Sequence, residues 1–390
     1  MKDYLKENIR FVMRTELLSG VGIARDLPQQ LKNNSWNKVG LVIDKGLADN
    51  NQYVAEVVDI MKKSLDTVVL AYCELPEPTY DYLDKVKKLF TDYDLNCFMG
   101  IGGGSTLDLT KGLATLKTND GEAINYRGFG KVVKAPLPVV ALPTTAGTGS
   151  EVTPYAVFID TKDKWKFGIN TEHNYPRLSL YDPLFLDSCT AGIYASAGMD
   201  AMTHTLESFV AKNATFYSRM YSRQAFRLLF MNLKKIADGD RSAETKLNLL
   251  IGSGLAGVAL MNSGAGPAGA LSYPLGVYFD VPHGLAGSVF LPYVIRHNVE
   301  HGYTDYAELY DLVHDNTHLK NEEKSLIFAD EIVQLCDNLG IPTSLSGFGV
   351  VSEEDRKLII DNAMQLKAAF EQNPINFGTD EIIKVIYSMK

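Results

Sequence analysis

The sequence predicts an α/β domain built on a parallel sheet, followed by an all-α domain. Three observations carry that expectation. Short apolar runs alternate with amphipathic stretches through the first half, strand-like runs disappear after about Asp182, and long segments of helical period follow. In order, KVGLVID (38–44) reads as a strand and 54–64 as a helix, then TVVLAYC (67–73) as a strand and 80–90 as a helix. CFMGIGG (97–103) is a third strand leading into a helix from Ser105, and PVVALPT (138–144) a fourth, ending in a Gly/Thr-rich loop. Continuous apolar strands separated by helices suit a parallel sheet covered on both faces. Beyond them, 218–236, 322–339 and 352–370 carry helical periodicity. The expected domains are 1–181 (α/β, dinucleotide-binding) and 182–390 (all-helical), packed with a cleft between them.

Composition bounds the function. The chain has 390 residues, 46% hydrophobic and 22% charged, a globular profile of sufficient size for two domains. Its net charge of −9 argues against nucleic-acid and anionic-membrane partners, which need a basic face to displace counterions. Four widely spaced cysteines without a CxxC pair fit a reducing compartment, and the charges scattered through the first 18 residues do not read as a signal peptide. A cytoplasmic chain is expected. Residues 247–279 carry no charge, but seven glycines and two prolines would leave backbone groups unsatisfied in lipid. A pair of buried helices with close backbone approach is the better reading.

Two loops have the chemistry of a phosphate cradle. Gly102-Gly103-Gly104-Ser105-Thr106 lies where a buried strand gives way to a helix. Glycines there allow positive φ and close approach, and the helix start offers free N–H groups and a partial positive charge. A plain glycine turn capped by Ser105 is the alternative. The second loop, Pro143 to Val152, is rich in hydroxyls and glycines and also follows a buried strand. Asp44 ends the first strand, where an acid can bind a ribose 2′-OH, favouring NAD over NADP, or can simply cap the next helix.

GMDAMTHTLE (198–207) reads as a helix that places Asp200 and His204 four apart on one face. Such a pair can hold a divalent ion or merely satisfy itself. His283, in Pro282-His283-Gly284, opens an apolar segment and is the next histidine along the chain. Mixed N/O ligation by these groups suits Fe2+ or Zn2+.

The strings GGGSTLDLTKG, LPTTAGTGSEVT, GMDAMTHTLESF and VPHGLAGSVFLP, in this order, resemble the iron-containing (group III) alcohol dehydrogenases over nearly the whole chain. The resemblance implies a Rossmann-like nucleotide domain and a helical metal domain, the dehydroquinate synthase-like fold. It implies an NAD(P)-dependent oxidoreductase interconverting a small or functionalised alcohol and its aldehyde or ketone, and a homodimer. It carries cofactor roles onto Asp44, Gly102, Gly103, Gly104, Ser105, Asp108, Thr144, Thr145, Thr148, Ser150, Val152, Lys166 and Leu180, and metal roles onto Asp200, His204 and His283.

The family pattern has a further histidine fourteen residues before His283, where this chain has Gly269, and often another ten before it, where Tyr273 stands. The string Ala270-Leu271-Ser272-Tyr273-Pro274 looks like the branch that includes phosphonoacetaldehyde reductases. The expectation is therefore an atypical member lacking one ligand histidine, with weakened or substrate-assisted Fe2+ or Zn2+ binding. Tyr273 and His283 are the candidate catalytic residues, Tyr273 for proton delivery or substrate hydrogen bonding. Two other readings stay open. One is a reaction that recycles NAD within each turnover, as in the related dehydroquinate synthases. The other is a non-catalytic or metal-free NAD-binding paralogue, which Gly269 keeps alive.

Overall fold

A computed structural model of the chain describes residues 8–279, 281–315, 318–342 and 344–389. The reading of the chain start as no signal peptide falls partly on residues 1–7, outside the described residues. In chain order the elements are β1 (Glu16–Ser19), α1 (Leu27–Asn33), β2 (Lys38–Asp44), α2 (Lys45–Asn50), α3 (Gln52–Ser64), β3 (Thr67–Cys73), α4 (Tyr80–Lys87), β4 (Cys97–Gly102), α5 (Gly104–Thr118), β5 (Gly128–Phe129), β6 (Val139–Pro143), β7 (Val157–Asp160), β8 (Trp165–Asn170) and β9 (Leu178–Tyr181). Helices follow: α6 (Ala191–Val210), α7 (Phe216–Ala237), α8 (Ala243–Met261), α9 (Pro267–Phe279), α10 (His283–Glu300), α11 (Tyr306–Tyr310), α12 (Asn321–Asn338), α13 (Glu353–Ala363), α14 (Lys367–Glu371) and α15 (Thr379–Ser388). An N-terminal domain on a largely parallel sheet and a C-terminal helical domain are what the sequence predicted.

Two compact units emerge. One comprises Met13–Cys189 with Arg241–Leu250, and the other residues 8–12, Thr190–Asp240 and residues 251–389. In the first, six strands run in the order β1-β9-β6-β4-β2-β3, with every pairing parallel. Every residue of β4 and β6 is buried, and β2 is buried along its five central residues. These central strands are apolar on both faces because helices cover both, which is why they were visible in the sequence. Strands β1 and β9, at one side of the sheet, and the small sheet β5-β8-β7 were not anticipated. Each of β1 and β9 is only four residues long, and β8 contains the polar WKFGIN.

Helix starts in this unit are mostly capped by side chains. Asp44 Oδ1 accepts from Leu47 N–H at 2.8 Å, Asn51 from Val54 at 3.2 Å and Thr79 from Tyr82 at 3.0 Å. The starts of α1 and α5 are the exceptions, and the cap residue of α5, Gly103, has no side chain to give.

In the helical unit, α6 packs on α7 and α10, and α9 packs on α10. Phe226, Phe230, Phe290 and Phe328 are fully enclosed there, each burial contributing about 1.5–3 kcal/mol. The uncharged stretch resolves into α8 and α9, joined by a turn where Gly264 takes φ 121°. Among the described residues no helix is long and apolar enough to cross a membrane. The helix expected over 352–370 is broken into α13 and α14, because Leu366 leaves helical backbone at ψ 40°.

Candidate functional site

The two loops expected to cradle a nucleotide belong to the sheet unit. Strands β4 and β6 are hydrogen-bonded neighbours, so their carboxyl ends carry the two Gly/Thr loops side by side, tied by Thr144 N–H to Gly102 O at 3.1 Å. None of Gly102, Gly103 and Gly104 has a positive φ; the left-handed residue is Gly149, at φ 65°. Closeness is what demands glycine in the triplet. A Cβ on Gly102 would fall 2.5 Å from the Thr106 side chain, on Gly103 3.1 Å from Thr145 Oγ1, and on Gly104 2.6 Å from Thr148 Cγ2. The 15-residue helix α5 thus starts with its first N–H groups bare of side-chain caps, under a floor of backbone and threonine methyls. Bare N–H groups at such a helix start can receive an anion.

Several predicted cofactor residues prove to be committed to one another. Ser105 Oγ donates to Pro76 O, and the next residue, Glu77, pairs with Lys166 at 2.7 Å. Asp108 accepts from Ser150 Oγ at 2.5 Å and from Val157 N–H at 2.9 Å. Lys111, fully buried, donates to Ser150 Oγ at 2.7 Å and to Tyr155 O at 2.6 Å. Burial raises the Asp108 carboxyl and lowers the Lys111 ammonium, and their mutual attraction works against both shifts. Asp108, Lys111 and Ser150 therefore staple the second loop to α5. Thr144 is buried and its carbonyl accepts from Cys189 Sγ at 3.3 Å. Val152 closes the turn from Gly149, and Leu180 is enclosed in β9. Lys111 escaped the sequence reading; its one signal was the Asp108–Lys111 spacing of three.

The metal centre belongs to the helical unit. Helix α6 carries Asp200 and His204 one turn apart, and His283 is the first residue of α10. One ligand atom from each lies within 4.8 Å of the others. His204 Nε2 is 3.7 Å and His283 Nε2 4.0 Å from Asp200 Oδ1, and Asp200 is 5% exposed. Glycine makes the approach possible: a Cβ on Gly284 would lie 2.1 Å from Ser196 O of α6. The residues fit a divalent ion. A buried carboxylate and two imidazoles form the mixed N/O set that such ions take. Among the described residues His204 Nδ1 is buried without a hydrogen-bond partner. Tyr273 stands edge-on to the His283 ring, centroids 5.5 Å apart.

Here the structure corrects the sequence. The chain was expected to be an atypical member lacking a ligand histidine, with weakened affinity for Fe2+ or Zn2+ because of Gly269. Instead Asp200, His204 and His283 form a complete Asp-His-His triad. Three protein ligands with one open position is the usual arrangement of a catalytic ion. Gly269 has a different task. Its N–H donates to Glu207 Oε1 at 3.2 Å, and a Cβ there would crowd Glu207 Oε2 at 3.0 Å. Glu207, on α6, is buried and also accepts from Gly266 N–H at 2.8 Å and Ala268 N–H at 2.6 Å. Burial pushes its carboxyl up, and the three N–H donors act in the opposite sense. The reading of a metal-free paralogue, which rested on Gly269, loses its footing.

Comparison with known proteins agrees with this geometry. Residues 14–183 match the family model for iron-containing alcohol dehydrogenase, and residues 194–389 match the C-terminal model of the Fe-containing alcohol dehydrogenase family. The chain is 31% identical over 388 residues to a 1,3-propanediol dehydrogenase of Citrobacter freundii, covering 99% of this chain and 98% of that one. It is 28% identical to an NAD-dependent methanol dehydrogenase of Bacillus methanolicus, covering 94% of this chain and 96% of that one. Among solved structures, an alcohol dehydrogenase from Oenococcus oeni superposes with a TM-score of 0.92 at 27% identity, covering 98% of this chain and 100% of that one. The chain belongs to the iron-containing alcohol dehydrogenase family, and is an NAD-dependent oxidoreductase of alcohols and aldehydes working at a metal site.

Proposed function

We propose that this enzyme reduces a small, functionalised aldehyde with NADH at a divalent ion held by Asp200, His204 and His283, and runs the reverse oxidation when alcohol and NAD are in excess. The observation that carries the reading is the convergence of three ligand atoms within 4.8 Å at the junction of α6 and α10. In the forward direction the carbonyl carbon gains a hydride and its oxygen a proton, giving the alcohol and NAD+. When bound, the ion polarises that oxygen as a Lewis acid and the nicotinamide supplies the hydride.

The chain's own residues bind and orient. Gly102, Gly103 and Gly104 with the bare start of α5 hold the pyrophosphate, and Thr145 and Thr148 line the same floor. Ser105, Thr144, Val152 and Leu180 shape the cradle, and Asp108 with Ser150 holds its second loop in place. Asp44 has one carboxylate oxygen engaged in capping α2 and offers the other to the ribose, which favours NAD over NADP. Lys166, paired with Glu77, would supply a positive charge to the nucleotide when it is bound. Tyr273, against His283, hydrogen-bonds the substrate or delivers the proton. The Ala270-to-Pro274 string supports a substrate of the phosphonoacetaldehyde type, with a sugar aldehyde as the alternative class. A homodimer in a reducing cytoplasm completes the proposal; the four free cysteines suit that setting.

An aldehyde panel, assayed with NADH and added Fe2+ or Zn2+, tests this reading. NADH oxidation is expected with at least one functionalised aldehyde. Asp200→Ala should lower kcat/KM by about 10³-fold, since Lewis-acid stabilisation is worth several kcal/mol. Full activity in Asp200→Ala, or after chelation, would sink the metal mechanism.

A further inference from the structure

We propose that Ser272 is a positioning residue that fixes the tautomer of His283 and thereby presents its Nε2 to the ion. The inference rests on the metal-centre reading above and follows from hydrogen-bond direction. Ser272, on α9, is fully enclosed. Its Oγ lies 2.6 Å from Gly269 O and 3.1 Å from His283 Nδ1. A carbonyl oxygen can only accept, so the serine proton goes to Gly269 O. Having spent its one proton, the hydroxyl oxygen can only accept from the imidazole. His283 Nδ1 must therefore carry the hydrogen, which leaves the lone pair on Nε2, the nitrogen turned toward Asp200 Oδ1.

The acceptor at the head of this relay is itself immobilised. Gly269 N–H, Ala268 N–H and Gly266 N–H all donate to Glu207. Glu207 lies on the same helix as Asp200 and His204, three residues beyond the histidine. One helix thus supplies two ligands directly and orients the third through the start of α9. The two imidazoles are held unequally: His283 has an oriented partner on its remote nitrogen, and the remote nitrogen of His204 has none. Partners of this kind typically change metal affinity by about 10–100-fold when removed.

The test uses the full-length protein with Zn2+ alone, its affinity read by competition with a chelator, and 15N NMR of the histidine rings. Wild type is expected to show His283 protonated at Nδ1 with and without zinc. Ser272→Ala is expected to bind zinc about 10–100-fold more weakly, and Ser272→Thr, which keeps the hydroxyl, to recover most of that loss. A His283 ring protonated at Nε2 in the zinc-free wild type, or a Ser272→Ala affinity within about twofold of wild type, would overturn the proposal. If Ser272→Ala fails to fold, the wild-type ring spectrum still decides. Failure of wild type to bind zinc would instead count against the metal-centre reading, leaving the tautomer separately measurable.

Discussion

Gly284→Ala offers the sharpest check on how α10 delivers its ligand. The added Cβ would sit 2.1 Å from Ser196 O and 2.9 Å from both Ser196 C and Asp200 Cβ. Ser196 O and C are backbone of α6, so neither can swing aside as a side-chain tip would. Restoring an ordinary contact requires the start of α10 to retreat by about 1 Å or more, in a core close-packed enough to resist it. Overpacking of this kind costs about 1–3 kcal/mol. The melting temperature of the metal-free protein should fall by about 2–4 °C for each of those kcal/mol. The functional loss should be larger. His283 is bonded directly to Gly284, and metal–ligand distances tolerate only about 0.2 Å. Zinc affinity should therefore drop by at least about tenfold, and kcat/KM by about 10²-fold, as expected for a misplacement near 1 Å. Gly287→Ala is the matched control. Its Cβ would meet Thr203 at an ordinary 3.6 Å, one turn along the same helix and on the same neighbour. Calorimetric melting and chelator competition on both variants settle the matter. A Gly284→Ala protein with wild-type zinc affinity would refute the argument that this glycine sets the ligand's position.

Three further outcomes follow from the same structure. Gly104→Ala forces Thr148 aside and should weaken NAD binding about tenfold by calorimetry while leaving zinc affinity unchanged; equal NAD affinity would remove the cradle from α5. Tyr273→Phe should lower kcat by about 10–10²-fold with little change in zinc or NAD affinity, and an unchanged kcat–pH profile would deny it a role in proton delivery. Burial lifts the Glu151 carboxyl from 4.5 to about 6 in the folded state, so its contribution to stability is full below the unfolded value and is lost as pH rises through about 6, a change of about 2 kcal/mol. Glu151→Gln keeps an acceptor for Tyr181 Oη and should flatten the melting profile across that window; a profile parallel to wild type would exclude Glu151 as the source.

What the sequence disclosed depended on how far each feature is local. Strands β2, β4 and β6 were legible because burial on both faces turns them into unbroken apolar runs. Strands β1 and β9 each have four residues and no such run, so the place of β9 beside β6 and of β1 beside β9 arises only from tertiary pairing. Asp200 and His204 were legible because helical spacing places them together, and His283 because it sits alone at a glycine-bearing helix start. Lys111 was not legible: nothing near it in the chain shows that its ammonium will be enclosed and bound by Ser150 and by the carbonyl of Tyr155.

Gly269 shows why a motif comparison alone misjudged the site. Comparing residue types at one position registers only a missing imidazole, since a backbone carries no letter. The groups that matter at Gly269 are its N–H and its C=O, which connect Glu207 to Ser272 and so to His283. Any side chain there begins with a Cβ 3.0 Å from the Glu207 carboxylate, the group that holds the first turn of α9 in register. A buried carboxylate with three N–H donors is costly to disturb, because a lost partner leaves charge or dipole unsatisfied in a low-dielectric core. A side chain there would therefore make the Glu207 carboxylate give by a few tenths of an ångström. A histidine at that position would press on the carboxylate that accepts from Gly266, Ala268 and Gly269 N–H.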